Sequence, residues 1–561
     1  MKRGNLIKGI FIFIGLIVVI SLMAIACGTK TTTTTTSAAA PTTTTSKPAV
    51  TTTQAPTVNP TTTMIPTTSA SAKITTGGTL YYGYDQDMPT IGNPATQQYV
   101  TGWGPISDIC LENLLLLDST GTPEPWLATG WKWDADNLGL TLTIRQGVKF
   151  HDGTDFNADA VKWNLMQCKA ANVTELASVK SIDVVDPYTV KINLSVTDGM
   201  LIFNLAGNRG MMMSPAAYTS HGGTEKERTM WAEQNPVGTG PFKFVSWTKG
   251  VRITFEKNPN YWQPGKPYLD KIVFTVINDE MTLGSSFQAG EQNTIYSQSP
   301  SVIKNLMDTG KYDFYSGDVS LIGGLEGDSR HPDSPWSKIQ VRQAAAYSVD
   351  SAAFAKAIGY GQWLATNQYD IPGRWGYNPS VVGYPYNTAK SKELLTAAGF
   401  PSGFSTNIYG MPQYDTMVAS IQAYFAAVGI KGAAQLVTPA TRVDMFSNSG
   451  WNGCWLWEST PNPNSAYQIV RSFTPAAWPK RMTSVDVPAE MSDLAAKLST
   501  TTDFNTQKQL AQQFQYVNED KYAMITFIWA RYQPQPILKN THNLWNNVSM
   551  HWTPWDTYID K

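Results

Sequence analysis

Between Gly28 and Thr76 the chain places 22 Thr in 49 residues, with five Pro and three Lys but no acid and no aromatic ring. A segment so poor in apolar surface cannot offset the entropy of ordering its backbone, and it is predicted to be a disordered tether. The same composition suits a flexible arm or a glycosylated stalk. Whatever folds in this 561-residue chain must therefore begin near Gly77. That remainder is long enough for two or three structural units.

Upstream of the tether, Lys2, Arg3 and Lys8 form a basic start, and Gly9 to Ala26 is an apolar or small stretch ending at Cys27. Basic residues, an apolar run and small residues in that order predict an export signal. The stretch resembles a bacterial lipoprotein signal over residues 1–26, with Ala24, Ile25 and Ala26 preceding a Cys27 that would be lipidated. The alternative is an uncleaved membrane helix, since 18 residues reach the lower limit for crossing a bilayer. Both readings place the folded part outside the cytoplasm, at the periplasmic or cell-surface face of the membrane.

The whole chain carries 42 basic and 43 acidic residues, and loss of residues 1–26 would leave 39 against 43. With no basic surplus to neutralise phosphates, nucleic acid is excluded as a partner. Cys27, Cys110, Cys168 and Cys454 contain no C-x-x-C pair, and the five His have no paired ligand spacing, so neither a zinc site nor a cofactor is expected. With Cys27 lipidated, the other three thiols allow at most one internal disulfide.

From Gly77 onward, strand and helix signals alternate. Residues 79–84 (TLYYGY), 140–145 (LTLTIR), 251–256 (VRITFE) and 272–277 (IVFTVI) read as strands. Asn157 is a predicted helix cap, and another helix opens at Thr388 and stops at Gly399. Met417, Ile421, Phe425 and Val428 form a helical stripe, as do Leu510, Phe514 and Val517; both are core faces. His151 reads as a turn residue, and the GTG at 238–240 as a backbone bend, because no Lys-Ser or Lys-Thr follows to make a phosphate loop. The result is an α/β protein.

Residues 115–165 (LLLDSTGTPEPWLATGWKWDADNLGLTLTIRQGVKFHDGTDFNADAVKWNL) resemble the family 5 extracellular solute-binding proteins of ABC importers, the dipeptide- and oligopeptide-binding group. NPVGTGPFKF at 235–244, NPNYWQPGKPYLDKIVFTVI at 258–277, FQAGE at 287–291 and VRQAAAYSVD at 341–350 continue the resemblance in the family's order. It implies a two-lobed, periplasmic-binding-protein-like (Venus flytrap) fold with mixed sheets and a ligand cleft between the lobes. The expected parts are an anchored tether at 27–76, lobe I at 77–320, lobe II at 321–528, and a return of lobe I at 529–561. It also implies a monomer that hands its ligand to ABC permease subunits and is not an enzyme.

In peptide-binding members an Asp of the second lobe pairs with the peptide ammonium. The corresponding stretch is GCWLWESTPNP at 453–463, where Glu458 stands nearest to that acid. A desolvated ammonium needs such a counter-charge. Trp455 and Trp457, two residues apart, fall on one strand face and can contact ligand. Arg374, followed by Trp375, can hold a carboxylate, and Tyr84 and Asp85 lie where the resemblance puts the cleft floor. Peptide is the leading ligand class, with oligosaccharide or a metal complex as the alternative. A secreted hydrolase is the reading from a different class, although G-x-S-x-G and H-E-x-x-H are absent. A sensor presenting its loaded state to a receptor would share the binding chemistry.

Overall fold

The computed structural model describes residues 74–97, 104–315, 319–459, 464–474, 484–544 and 552–560. The signal, Cys27 and nearly all of the tether lie outside the described residues. Among those described, no helix is long and apolar enough to cross a membrane.

Three main sheets organise the folded part. The first has seven strands in the order 313–315, 535–537, 294–296, 79–84, 271–276, 252–257, 242–248. Its centre, Thr79–Tyr84, runs parallel to both Lys271–Val276 and Thr294–Tyr296. The period-two pattern of TLYYGY explains this position: Leu80, Tyr82 and Tyr84 are buried, whereas Tyr81 is 45% exposed. A four-stranded antiparallel sheet, Ala128–Trp133, Gly139–Ile144, Thr189–Leu194 and Val179–Asp186, packs with the helix Ala158–Ala170. Asn157 caps that helix by accepting from the Ala160 N–H at 3.0 Å.

The third sheet has six strands in the order 364–365, 525–532, 319–327, 454–459, 404–410, 430–436. The chain passes from the first sheet to the third between Tyr315 and Val319, and returns between Tyr532 and Gln535. Helix Asp415–Val428 buries Met417, Ile421, Phe425 and Val428 beside this sheet and ends at Gly429 in the left-handed region, φ 95°. Asn387 caps Thr388–Ala397, and Gly399 follows it at φ 91°. The Leu510–Phe514 stripe lies on Phe504–Tyr516, and Val517 opens a π-helical turn.

An apolar cluster joins the four-stranded sheet to the third sheet and its helices, with Phe203 on one side and Phe514 and Phe527 on the other. Along this seam Gly199 N–H donates to the Ser499 carbonyl at 2.7 Å, and Thr502 Oγ1 donates to Asn137 Oδ1 at 3.0 Å. Cys110, Cys168 and Cys454 are buried free thiols.

The GTG and NPNYW segments converge on one buried acid. Glu112 accepts from Thr239 Oγ1 (2.7 Å), Tyr261 Oη (2.8 Å), Trp126 Nε1 (3.0 Å) and Trp262 Nε1 (3.1 Å). Burial pushes its carboxyl up to about 7, a rise these bonds only partly offset. His151 is likewise structural: its Nε2 lies 2.9 Å from the Gly240 carbonyl oxygen, and burial lowers its pKa to about 4.

Candidate functional site

The strand Cys454–Ser459 pairs antiparallel with Val319–Gly327 and, over two residues, parallel with Phe404–Gly410. Period-two alternation sends Trp455 and Trp457 into one apolar cluster and Cys454 and Leu456 into the other. Glu458 shares the parity of Cys454 and Leu456, opposite Gly323 in the register. The strand thus offers rings on one face and a carboxylate on the other. At its end lies a cavity of about 340 Å³ whose wall includes Tyr414, Arg442, Trp455, Trp457, Glu458 and Arg471.

Glu458 is half-buried. Its Oε1 accepts from Trp529 Nε1 at 2.9 Å, and its Oε2 is buried with no charged donor among the described residues. The indole reaches this position by lying over Gly323, where a Cβ would come within 2.1 Å of Trp529 Cζ2. Tyr414 has its phenol pushed well up by burial, then by the charge of the Glu458 carboxylate and by a side-chain hydrogen bond to it, so the phenol is the neighbour that the second oxygen already has. Trp455 lies against Tyr409 at 5.9 Å between ring centroids and 13° between planes; Trp457 meets Tyr369 edge-on at 5.3 Å. At 2% and 6% exposed, both tryptophans open only their margins to the cavity.

The remaining sequence-derived candidates occupy other places. Arg374 and Trp375 do not line this cavity. Arg374 Nε stands 4.0 Å from Asp370 Oδ1, both side chains being buried, and Trp375 packs on Phe504 at 4.9 Å. Tyr84 and Asp85 sit at the carboxyl end of Thr79–Tyr84, as ligands of open α/β sheets do. Tyr84 is buried and stacked on Tyr296 at 5.3 Å. Asp85 Oδ2 accepts from the Gln298 N–H at 3.2 Å, and Glu280 Oε1 accepts from the same N–H at 3.1 Å. Burial, then the Glu280 charge, raises Asp85 to about 6. Arg531 Nη2 donates to the Gln298 carbonyl at 2.9 Å, and its charge acts on both the Tyr296 and Tyr414 phenols. It therefore touches the residue whose N–H serves Asp85 and Glu280, and its charge reaches Tyr414 of the cavity wall.

Sequence reasoning did not single out Tyr414, Arg442, Arg471, Glu280 or Trp529. Each reaches its place from a different element, and none belongs to a recognisable spacing. Among the described residues no group of three His, Cys, Asp or Glu is arranged to hold a metal ion.

Residues 122–478 match the family described as bacterial extracellular solute-binding proteins, family 5 Middle. The glutathione-binding protein GsiB of Salmonella typhi is 31% identical over 417 residues, covering 69% of this chain and 77% of GsiB. The fold matches that of the periplasmic binding protein DppA of Helicobacter pylori in complex with the peptide STSA (TM-score 0.70, 23% identity, 87% of this chain and 99% of that one). HbpA2 of Haemophilus parasuis also superposes (TM-score 0.77, 22% identity, 86% and 100%). A two-lobed solute-binding fold, a cavity with a half-tethered carboxylate and a match over most of the folded part lead to one assignment: the chain belongs to the family 5 extracellular solute-binding proteins of ABC importers.

Proposed function

We propose that the protein captures a peptide-like ligand whose ammonium is held by Glu458, and delivers it to the permease of its importer from a lipid anchor at Cys27. The observation that carries the ligand class is Glu458 itself: one carboxylate oxygen is fixed by Trp529, and the other is buried at the cavity wall with the Tyr414 phenol beside it and no charged donor among the described residues. An ammonium would supply that donor and a compensating charge. The tryptophans favour peptide over sugar, because stacking on a sugar needs open ring faces and here only margins are exposed. Named ligands among relatives point the same way, glutathione for GsiB and the peptide STSA for DppA.

In this proposal lobe I comprises 77–320 and 529–561, and lobe II 321–528. Sheet membership supports a division near these bounds: the chain leaves the first sheet after Tyr315 and rejoins it at Gln535. The strand Ile525–Tyr532, which the bound at 529 would cut, belongs wholly to the third sheet. Hinged closure then gives the permease two shapes to distinguish. The test is mass spectrometry of the ligand released from gently purified protein. A compound with a free amine and amide bonds is expected; a neutral sugar would overturn the reading.

A further inference from the structure

The same cavity carries more positive than negative charge. Arg442, from the short helix Pro439–Asp444, is half-buried, and Arg471, from Ser465–Phe473, is exposed. Both line the cavity wall with Glu458. Arg442 has its guanidinium carbon 5.7 Å from the Phe446 ring centroid, and Arg471 acts electrostatically on the Tyr467 phenol. Neither guanidinium makes an ion pair or hydrogen bond with the described residues. Arg531, the other cation near Tyr414, already donates to the Gln298 carbonyl and does not line the cavity.

An ordinary zwitterionic peptide would answer Glu458 with its ammonium and one guanidinium with its carboxylate. The second guanidinium would stay without a carboxylate partner at the cavity wall. A guanidinium favours a planar, two-pronged carboxylate partner over water when it is positioned beforehand, and complementary charge sets specificity in such sites. The volume, near the lower end of the roughly 300–1,000 Å³ spanned by small-molecule pockets, suits a ligand of a few residues.

Resting on the peptide reading above, we infer that the site selects short acidic peptides, with one ammonium at Glu458 and two carboxylates at Arg442 and Arg471. Glutathione, with one amine and two carboxylates, is the probe of this class.

Calorimetric titration at fixed low ionic strength would compare glutathione, its glycine-amide derivative lacking one carboxylate, and tri-alanine. Each is titrated into the wild type and into the R442Q/R471Q double variant, whose melting temperature is measured separately. Wild type is expected to bind glutathione about tenfold or more tightly than the amide. In the double variant that ratio should fall to about twofold or less. Equal binding of glutathione and the amide by wild type, or an unchanged ratio in a folded double variant, would overturn the acidic-peptide inference while leaving the peptide reading standing. Absence of binding by all three probes would overturn the peptide reading and the inference with it.

Discussion

Trp529 holds Glu458 across the six-stranded sheet, its indole nitrogen 2.9 Å from Oε1. The two residues sit on strands that flank Val319–Gly327 on opposite sides and meet over Gly323. A large ring thus orients a charged group at the cavity rim, leaving the other oxygen for a ligand. If Glu458 receives an ammonium, Glu458→Gln should weaken binding of the co-purified ligand by about 2–5 kcal/mol. Trp529→Phe should cost about 0.5–1.5 kcal/mol of affinity through the lost orienting bond. Calorimetry with melting temperature measured in parallel checks both, and wild-type affinity in a folded Glu458→Gln protein would remove the ammonium role.

Gly323→Ala introduces a methyl group 2.1 Å from a fully buried ring. The strand and the indole cannot both stay in place, so a stability loss of about 1–3 kcal/mol is expected. Ligand affinity should fall as well, because the displaced indole no longer reaches Glu458. Urea unfolding and titration of the same sample measure the two effects, and an unchanged unfolding midpoint would contradict the close packing.

Asp85 offers a pH test. Its carboxyl rises from 3.8 to about 6 in the folded protein, through burial and then through Glu280. The folded state holds the proton more tightly than the unfolded chain, so unfolding releases it within this window. The contribution of Asp85 to stability therefore falls as pH rises from about 4 to about 6 and levels off above. Asp85→Asn should flatten that part of the profile of unfolding midpoint against pH. A slope identical to wild type would show that Asp85 does not titrate there.

Cys27→Ser should leave an unprocessed precursor that takes up no acyl label, as the lipoprotein reading requires. Removing residues 29–76 from the soluble protein should leave affinity and melting temperature nearly unchanged, because that segment has little to add to a core. Acyl labelling of the variant, or a large loss of stability on truncation, would contradict these expectations.

The strand at 79–84 was legible because burial largely follows residue alternation, the one at 271–276, read as 272–277, because a run of apolar residues goes to the core, and the helix at 415–428 because its stripe follows the helical period. Alternation also placed Trp455 and Trp457 on a shared face, and the same rule sends Glu458 to the opposite one, although all three border the cavity at the strand's end. Arg442 and Arg471 lie 29 residues apart on separate helices and come together only at the cavity wall. The tie between Trp529 and Glu458 spans 71 residues and depends on a glycine in a third strand. No local pattern encodes such convergence.

Glu112 bears on how the chain acquires its fold. Its donors arrive from positions as distant as 150 residues along the sequence, and each comes from a segment with its own turn. Until all have assembled, the carboxylate must stay hydrated, which keeps water beside Leu111, Asn113 and Trp126. Dehydration there is therefore expected late and all at once, with long-range closure setting its rate. One acid thus fastens three stretches of the first lobe that the sequence keeps far apart.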